Sequence, residues 1–214
     1  MVIDLLDLTA KRRWLGETYM NQSRMDPDRF EHLGDEDVVR EALRAKELFA
    51  VLVRRYQDRL SRYIRRLGVS RQEDMEDVLQ NVFLKTYRNL NGFDPSLRFS
   101  SWIYRITHNE TMSFFRAKRA RPEVLPDEDD DVIERIPAML DIEGDVNRGY
   151  DAAIVGRALN KLDPKYRDVL ILRFFEERDY ADISDVLRLP MGTVATLLSR
   201  GKKKLKELLA NAPV

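Results

Sequence analysis

Tyr180 to Leu209 reads YADISDVLRLPMGTVATLLSRGKKKLKELL, two runs of helical periodicity on either side of a short break at Arg188-Leu189-Pro190. In each run apolar residues recur three and four positions apart, the spacing that gathers them on one side of a helix. Ile183, Val186 and Leu187 in the first run and Val194 and Leu198 in the second can form one small shared core. Two short helices locked in this way make a helix-turn-helix, whose second helix is free to lie in the major groove of DNA. Thr193, Thr196, Ser199, Arg200 and Lys203 would face outward from that helix. Hydroxyls and an arginine can read base edges, while Lys202, Lys203, Lys204 and Lys206 suit phosphates. By itself this stretch leaves an alternative open, an ordinary helical hairpin with a solvated lysine face.

Working upstream, the periodicity predicts further helices at about 151–162 and 164–177, which with 180–187 and 191–209 complete a C-terminal domain over 150–211. Asp163-Pro164 and Leu189-Pro190 separate neighbouring helices. Residues 122–149 carry Pro122, Pro126, Pro137 and the run DEDDD, a composition that resists packing and reads as an acidic linker, within which VIERIPAMLDI would suit a short local helix. An N-terminal helical domain spans 35–121. Its first part, Val38 to Leu67, has Val39, Leu43, Leu48, Leu52, Tyr56, Leu60 and Ile64 at helical spacing and predicts one or two amphipathic helices ended near Gly68. The next helix, Asp74 to Leu90, would bury Leu79, Val82, Phe83, Thr86 and Leu90 and show Asp77, Gln80, Asn81, Lys85 and Arg88. After a bend at Asp94-Pro95, a third runs from Ser101 to about Lys118. Residues 1–34 read as a short helix and a polar linker outside both domains. The fold class is therefore all-α, two helical domains joined by an acidic linker.

Composition narrows the function. Hydrophobic residues make up 43% of the 214, enough for one or two small cores, and the 35% that are charged favour long solvated helices over a sandwich or barrel. The 37 basic and 37 acidic side chains cancel, so any basic surface must come from segregation along the chain. Segregation is visible: Glu123 to Asp145 holds ten acidic residues against Arg135 alone, whereas Arg116–Arg121 and Arg200–Lys206 are almost purely basic. With no cysteine there is no disulfide framework, thiolate metal site or cysteine nucleophile. His32 and His108 lack metal-ligand spacing, and no phosphate loop or nucleophile motif occurs, so neither a catalytic site, a metal nor a cofactor is expected. No apolar run approaches the roughly 20 residues of a membrane span, and Met1–Leu8 lacks the order of a signal peptide, which points to a cytoplasmic protein without membrane insertion.

FSSWIYRITHNETMSFFRAKRARP, Phe99 to Pro122, mixes aromatics, an amide and cations on one helix. Such a mixture can hold an opened strand, because rings stack on bases and cations follow the backbone. Trp102 and Phe115 are better read as core, since large rings at helical spacing pack inward. Arg105, His108, Asn109, Arg116, Lys118 and Arg119 are the strand-binding candidates, with a merely solvated face as the alternative.

The segments DEDVVREALRAKELFAVLVRRYQDRLSRYIRRLG, EDVLQNVFLKTYRNLNGF and RFSSWIYRITHNETMSFFRAKRARP resemble consecutive parts of the first conserved domain of extracytoplasmic-function (ECF) sigma factors. LDPKYRDVLILRFFEERDYADISDVLRLPMGTVATLLSRGKKKL resembles the second, in the right order and with the right spacer. The resemblance implies a transcription initiation factor that binds core RNA polymerase and promoter DNA and helps to melt it. Region 2 would be 35–121 and region 4 would be 150–211. Asp77, Gln80, Asn81 and Lys85 would dock on the clamp helices of the polymerase. The segment Gly92 to Arg119 would take the single-stranded non-template minus-ten element, with Asn109 where the family holds an unstacked base, and the helix-turn-helix would read the duplex minus-thirty-five element. The linker would thread toward the RNA exit path, and an anti-sigma protein is implied as a further partner.

This chain departs from the family pattern at Asn81, where Glu is common, at Ala195 and Leu197, where basic residues are frequent, and at Arg188, a turn position where glycine is frequent. A helix-turn-helix regulator that acts on duplex DNA without polymerase is the main alternative, and a helical adaptor is a third. The first domain discriminates, since a regulator has no need of DVLQNVFLKTY or of a strand-capture helix.

Overall fold

A computed structural model describes Phe30 and residues 32–120 and 152–211. The leading short helix expected in 1–34, the linker 122–149 and its local helix lie outside the described residues. Within them the chain is α1 (Asp35–Arg44), α2 (Phe49–Arg66), α3 (Gln72–Arg88), α4 (Phe99–Arg119), α5 (Ala152–Asn160), α6 (Pro164–Leu170), α7 (Tyr180–Leu187) and α8 (Met191–Ala210), with short 3-10 turns at Lys46–Leu48 and Leu90–Gly92. No strand occurs among the described residues, as the sequence predicts.

The first domain is built on α2. Tyr56, Leu60, Tyr63 and Ile64 recur along one side of it and are all buried, with Val82 of α3 and Phe99 and Ile103 of α4 packed into the same core. Truncating any fully buried Leu or Ile of this set to Ala would cost about 2–5 kcal/mol, transfer and cavity together. Polar side chains fix the helix ends. Glu36 of α1 accepts from the Phe99 N–H at 2.9 Å, satisfying one of the orphan donors at the start of α4, and Asp35 accepts from both Arg55, at 2.6 Å, and the Tyr56 hydroxyl.

Two expectations about buried faces need correction. On α3 the fully buried positions are Met75, Val78, Val82 and Thr86, while Leu79 and Phe83 are half-buried at the edge, where Phe83 meets Phe49 edge-on at 6.5 Å. The stripe i, i+3, i+7, i+11 faces α2 and α4; Val82, Thr86 and Leu90 are buried as expected, and the difference lies in Met75 and Val78 taking the inward places expected of Leu79 and Phe83. Leu43 is 41% exposed, because α1 turns Val38, Val39 and Ala42 inward instead.

The second domain wraps α5, α6 and α7 around α8. Asp163 caps α6 by accepting from the Lys165 N–H at 3.1 Å, with Pro164 in the first turn where its missing N–H costs nothing. Gly201 is buried in the middle of α8, and a Cβ there would sit 3.3 Å from Leu170, so the glycine sets how closely α8 approaches α6. The helix expected over 164–177 is α-helical only to Leu170. It then widens into a π turn, Ile171–Phe175, closed by the Glu176 N–H on the Ile171 carbonyl at 3.1 Å. Glu177 follows with φ 54°, a left-handed residue that the sequence pattern does not announce.

Arg188 ends α7 in the left-handed region, φ 54° and ψ 47°. The glycine-type turn geometry is kept without the glycine, at the steric cost that a Cβ incurs there. Arg188→Gly should therefore leave stability unchanged or raise it by up to about 1 kcal/mol, whereas the β-branched Arg188→Val should lower it by about 1–2 kcal/mol. Urea unfolding midpoints of the two variants check this.

Candidate nucleic-acid interface

Helix α8 turns Val194, Leu198, Gly201, Leu205 and Leu209 into the domain. Thr193, Thr196, Ser199, Arg200, Lys202 and Lys203 are all exposed on its other sides. The Thr196 hydroxyl donates back to the Gly192 carbonyl at 2.8 Å, so it meets a ligand chiefly as an acceptor. Four of the five residues expected to lock the helix-turn-helix, Ile183, Val186, Val194 and Leu198, are buried, and Leu187 is half-buried against them.

On α3, Asp77, Asn81 and Lys85 are exposed and Gln80 is half-buried. The Lys85 ammonium pairs with Glu110 of α4 at 2.5 Å, a bridge between the two helices that is exposed at its lysine end.

Helix α4 divides the strand-binding candidates into two groups. Asn109, Arg116 and Arg119 are exposed, with Arg116 donating to Ser113 at 2.9 Å. Lys118 is half-buried, 3.6 Å from Asp74 and over the Phe114 ring at 5.9 Å. Trp102 and Phe115 are half-buried. Trp102 packs 5.2 Å from Phe93 and 5.7 Å from Phe99, at the edge of the core.

His108 and Arg105 form the second group, and both lie against the second domain. His108 Nε2 is 3.0 Å from Asp168 Oδ2, and the histidine side chain retains 15% of its exposure. Arg105 is half-buried; desolvation and the like charge of Arg188 hold its guanidinium below the ordinary value, with Asp185 of α7 opposing them. Neighbouring residues of the first domain are drawn into the same seam. Arg98 reaches Asp179 at 3.0 Å and Asp182 at 3.1 Å, and the buried Ser101 hydroxyl donates to Asp182 at 2.7 Å. Arg66 pairs with Glu176 at 2.6 Å, and the Tyr104 hydroxyl donates to the other oxygen of that carboxylate at 2.7 Å.

Electrostatics at the seam are those of a desolvated cluster. The Glu176 side chain is 5% exposed, and burial raises its carboxyl above the usual carboxylate range although Arg66, Tyr104 and Arg178 pull the other way. Arg178 stacks on the Tyr104 ring at 4.1 Å and Arg66 lies over Phe175 at 5.3 Å. Burial, with Asp168 and Glu176 adding to it, pushes the Tyr63 phenol well up. Its hydroxyl has no hydrogen-bond partner among the described residues, an omission worth about 1–3 kcal/mol against this packing.

Residues 52–121 match the family Sigma-70 region 2, and residues 152–205 match Sigma-70, region 4. The chain is 33% identical over 172 residues to the RNA polymerase sigma-H factor of Pseudomonas aeruginosa, covering 77% of this chain and 87% of that one. The chain belongs to the ECF sigma factors. To the ECF RNA polymerase sigma factor SigW of Bacillus subtilis it is 29% identical over 171 residues, 77% of this chain and 90% of the relative. A solved complex of the sigma factor RpoE with the anti-sigma factor NepR from Bartonella quintana matches in fold, with TM-score 0.59 at 21% identity over 77% of this chain and 98% of that one.

Sequence reasoning misses the part played by Arg66, Arg98, Ser101, Glu176, Asp179 and Asp182. Asp179 caps α7, accepting from the Asp182 N–H at 2.7 Å. Nothing in the pattern tells that Asp182 meets Arg98 across 84 positions. Their one sequence-level signal is an acidic start to α7 in a domain otherwise rich in lysine.

For α8 the exposure pattern yields a test. If Arg200 reads a guanine, Arg200→Ala should cost about 1–3 kcal/mol at one promoter position, whereas Lys203→Ala should weaken all sequences alike and lower the salt slope by about one. Competition binding to minus-thirty-five duplex variants at several salt concentrations separates the two.

Proposed function

We propose that this sigma factor binds core RNA polymerase with the outer face of α3, holds the non-template minus-ten strand along Gly92–Arg119, and reads the minus-thirty-five duplex with α8. Region 2 corresponds to 35–121 and region 4 to 150–211, with the acidic 122–149 bridging them toward the RNA exit path. In this reading Asp77, Gln80, Asn81 and Lys85 meet the clamp helices. Asn109, with Arg105, His108, Arg116, Lys118 and Arg119, receives the opened strand; Thr193, Thr196, Ser199, Arg200, Lys202 and Lys203 meet the duplex. The factor works in the cytoplasm beside the polymerase, contributes no catalytic step of its own, and is held in check by an anti-sigma protein, as RpoE is bound by NepR in the related complex. No described helix is long and apolar enough to cross a membrane.

The observation that supports this reading most is the double character of α3 and α4. Each buries an apolar stripe in one core while exposing a polar stripe that the core does not need, Asp77 and Asn81 on α3 and Asn109, Arg116 and Arg119 on α4. A regulator that grips duplex DNA with α8 alone has no use for either stripe.

Run-off transcription with purified core polymerase on a promoter-library template should give discrete transcripts that depend on the added chain. Asp77→Lys with Lys85→Glu should weaken the complex with core polymerase at least about tenfold in a pull-down while the helical circular-dichroism signal is retained, since both substituted side chains are exposed and neither belongs to the core. Unchanged affinity for core polymerase would remove α3 from the interface.

A further inference from the structure

Arg188 costs the fold twice, and no contact of its side chain among the described residues offsets either cost. Its backbone, φ 54° and ψ 47°, lies in the left-handed region, where a Cβ is crowded and a glycine is not. Its guanidinium places a like charge beside Arg105, which is half-buried and already desolvated. The side chain is exposed and makes no hydrogen bond or ion pair with another described residue; only the backbone N–H is used, donating to the Ser184 carbonyl. Glycine or asparagine would serve this turn at lower cost. Side chains held in sparsely populated backbone conformations gather where a ligand is gripped, so the next question is what Arg188 faces. Glu177 shares the conformation, but it follows the π turn and does not lead into α8.

The place of Arg188 names the ligand. A recognition helix enters the major groove with its N-terminal residues against the base edges, between two walls of sugar and phosphate. The turn that leads into such a helix therefore lies at the rim of the groove. Arg188 stands two residues before Pro190, the N-cap of α8, and five before Thr193, the first of the outward hydroxyls. Pro190, Met191, Gly192 and Thr193 are exposed with it, and a Cβ on Gly192 would meet nothing within 4 Å. The surface around Arg188 is bare of the rest of the domain. A guanidinium there presents a planar fork of donors, which matches two phosphate oxygens better than an ammonium does.

Resting on the proposed role of α8, we propose that Arg188 is a positioning residue: its guanidinium holds a backbone phosphate of the minus-thirty-five duplex at the rim of the major groove and so fixes the register of α8. The contact carries no base identity of its own. It sets where Thr193, Thr196 and Arg200 meet the base edges. Stability and binding then pull in opposite directions at one position, since the backbone suits glycine and the ligand needs the arginine.

That opposition supplies the test. Holoenzymes are assembled from core polymerase and the full chain, unaltered or carrying Arg188→Gly, Arg188→Asn, Arg188→Lys or Lys203→Ala. They are titrated at several salt concentrations with a duplex recovered by run-off from the promoter library and with its minus-thirty-five variants. Arg188→Gly and Arg188→Asn should bind about fivefold more weakly at roughly 0.15 M salt, equally on every variant, with a salt slope shallower by about one, as loss of one phosphate contact requires. Arg188→Lys keeps the charge and should keep the slope and most of the affinity. Urea midpoints of the free Gly and Asn variants should be no lower than that of the unaltered chain, which sets the binding loss apart from damage to the turn. Lower midpoints in both would show that Arg188 serves the fold and would overturn the proposal. Unchanged affinity and slope in both, with Lys203→Ala lowering each, would leave Arg188 a solvated arginine and the reading of α8 intact. A loss confined to some sequences, with the slope unchanged, would also overturn the phosphate contact. If neither Lys203→Ala nor any Arg188 variant changes binding, the reading of α8 itself fails and the proposal falls with it.

Discussion

Helix α4 is 21 residues long, about 30 Å at 1.5 Å per residue, and the packing of α2 and α3 can cover only one side of it. Phe99, Ile103, Tyr104, Thr107 and Thr111 are among its buried positions. The remaining faces must go to something else, and in this sigma factor they are divided. The stretch from Arg98 to His108 goes to α6, the π turn and α7; Asn109, Arg116 and Arg119 go to solvent. The rest of the arrangement follows from that division. Region 4 has a fixed place because the carboxylates at Asp168, Glu176, Asp179 and Asp182 find their partners on α4 and at the end of α2. Helix α8 points its basic side outward because its apolar side is already used by α6 and α7.

Much of this could be read from the residues. The strong periodicities of Val38–Leu67, Ser101–Lys118 and 180–209 are local, and each became helices at nearly the expected bounds because propensity, apolar spacing and stop signals agree there. The helix-turn-helix core was legible for the same reason, as were the exposed positions of α8. What could not be read depends on partners far away in the chain. The buried face of α3 keeps Val82, Thr86 and Leu90 but takes in Met75 and Val78 and leaves Leu79 and Phe83 at the edge, because packing against α2 and α4 chose between two neighbouring stripes that are both apolar enough to serve. The π turn at Ile171–Phe175 and the left-handed Glu177 have no turn residue to announce them. The pairing of His108 with Asp168, 60 positions apart, leaves no periodic trace at all.

The charge balance of the chain takes on a physical meaning from the seam. Equal numbers of acidic and basic side chains, 37 of each, give no overall field. Locally the signs are apart, and the structure brings some of them together: acidic α7 against the cationic side of α4, with the lysines of α8 exposed at the surface.

Asn109 is the exposed amide midway along α4, and its donor and acceptor can match the Watson–Crick edge of one unstacked base. Permanganate reactivity of minus-ten thymines, compared between holoenzymes carrying the unaltered chain and Asn109→Ala, measures strand capture most directly. On duplex promoter DNA the variant should show reduced reactivity and run-off. On a template already mismatched across the minus-ten element part of the run-off should return, because base extrusion no longer opposes binding. Equal reactivity and equal run-off from both holoenzymes on the duplex template would contradict the account and leave Asn109 as scaffold.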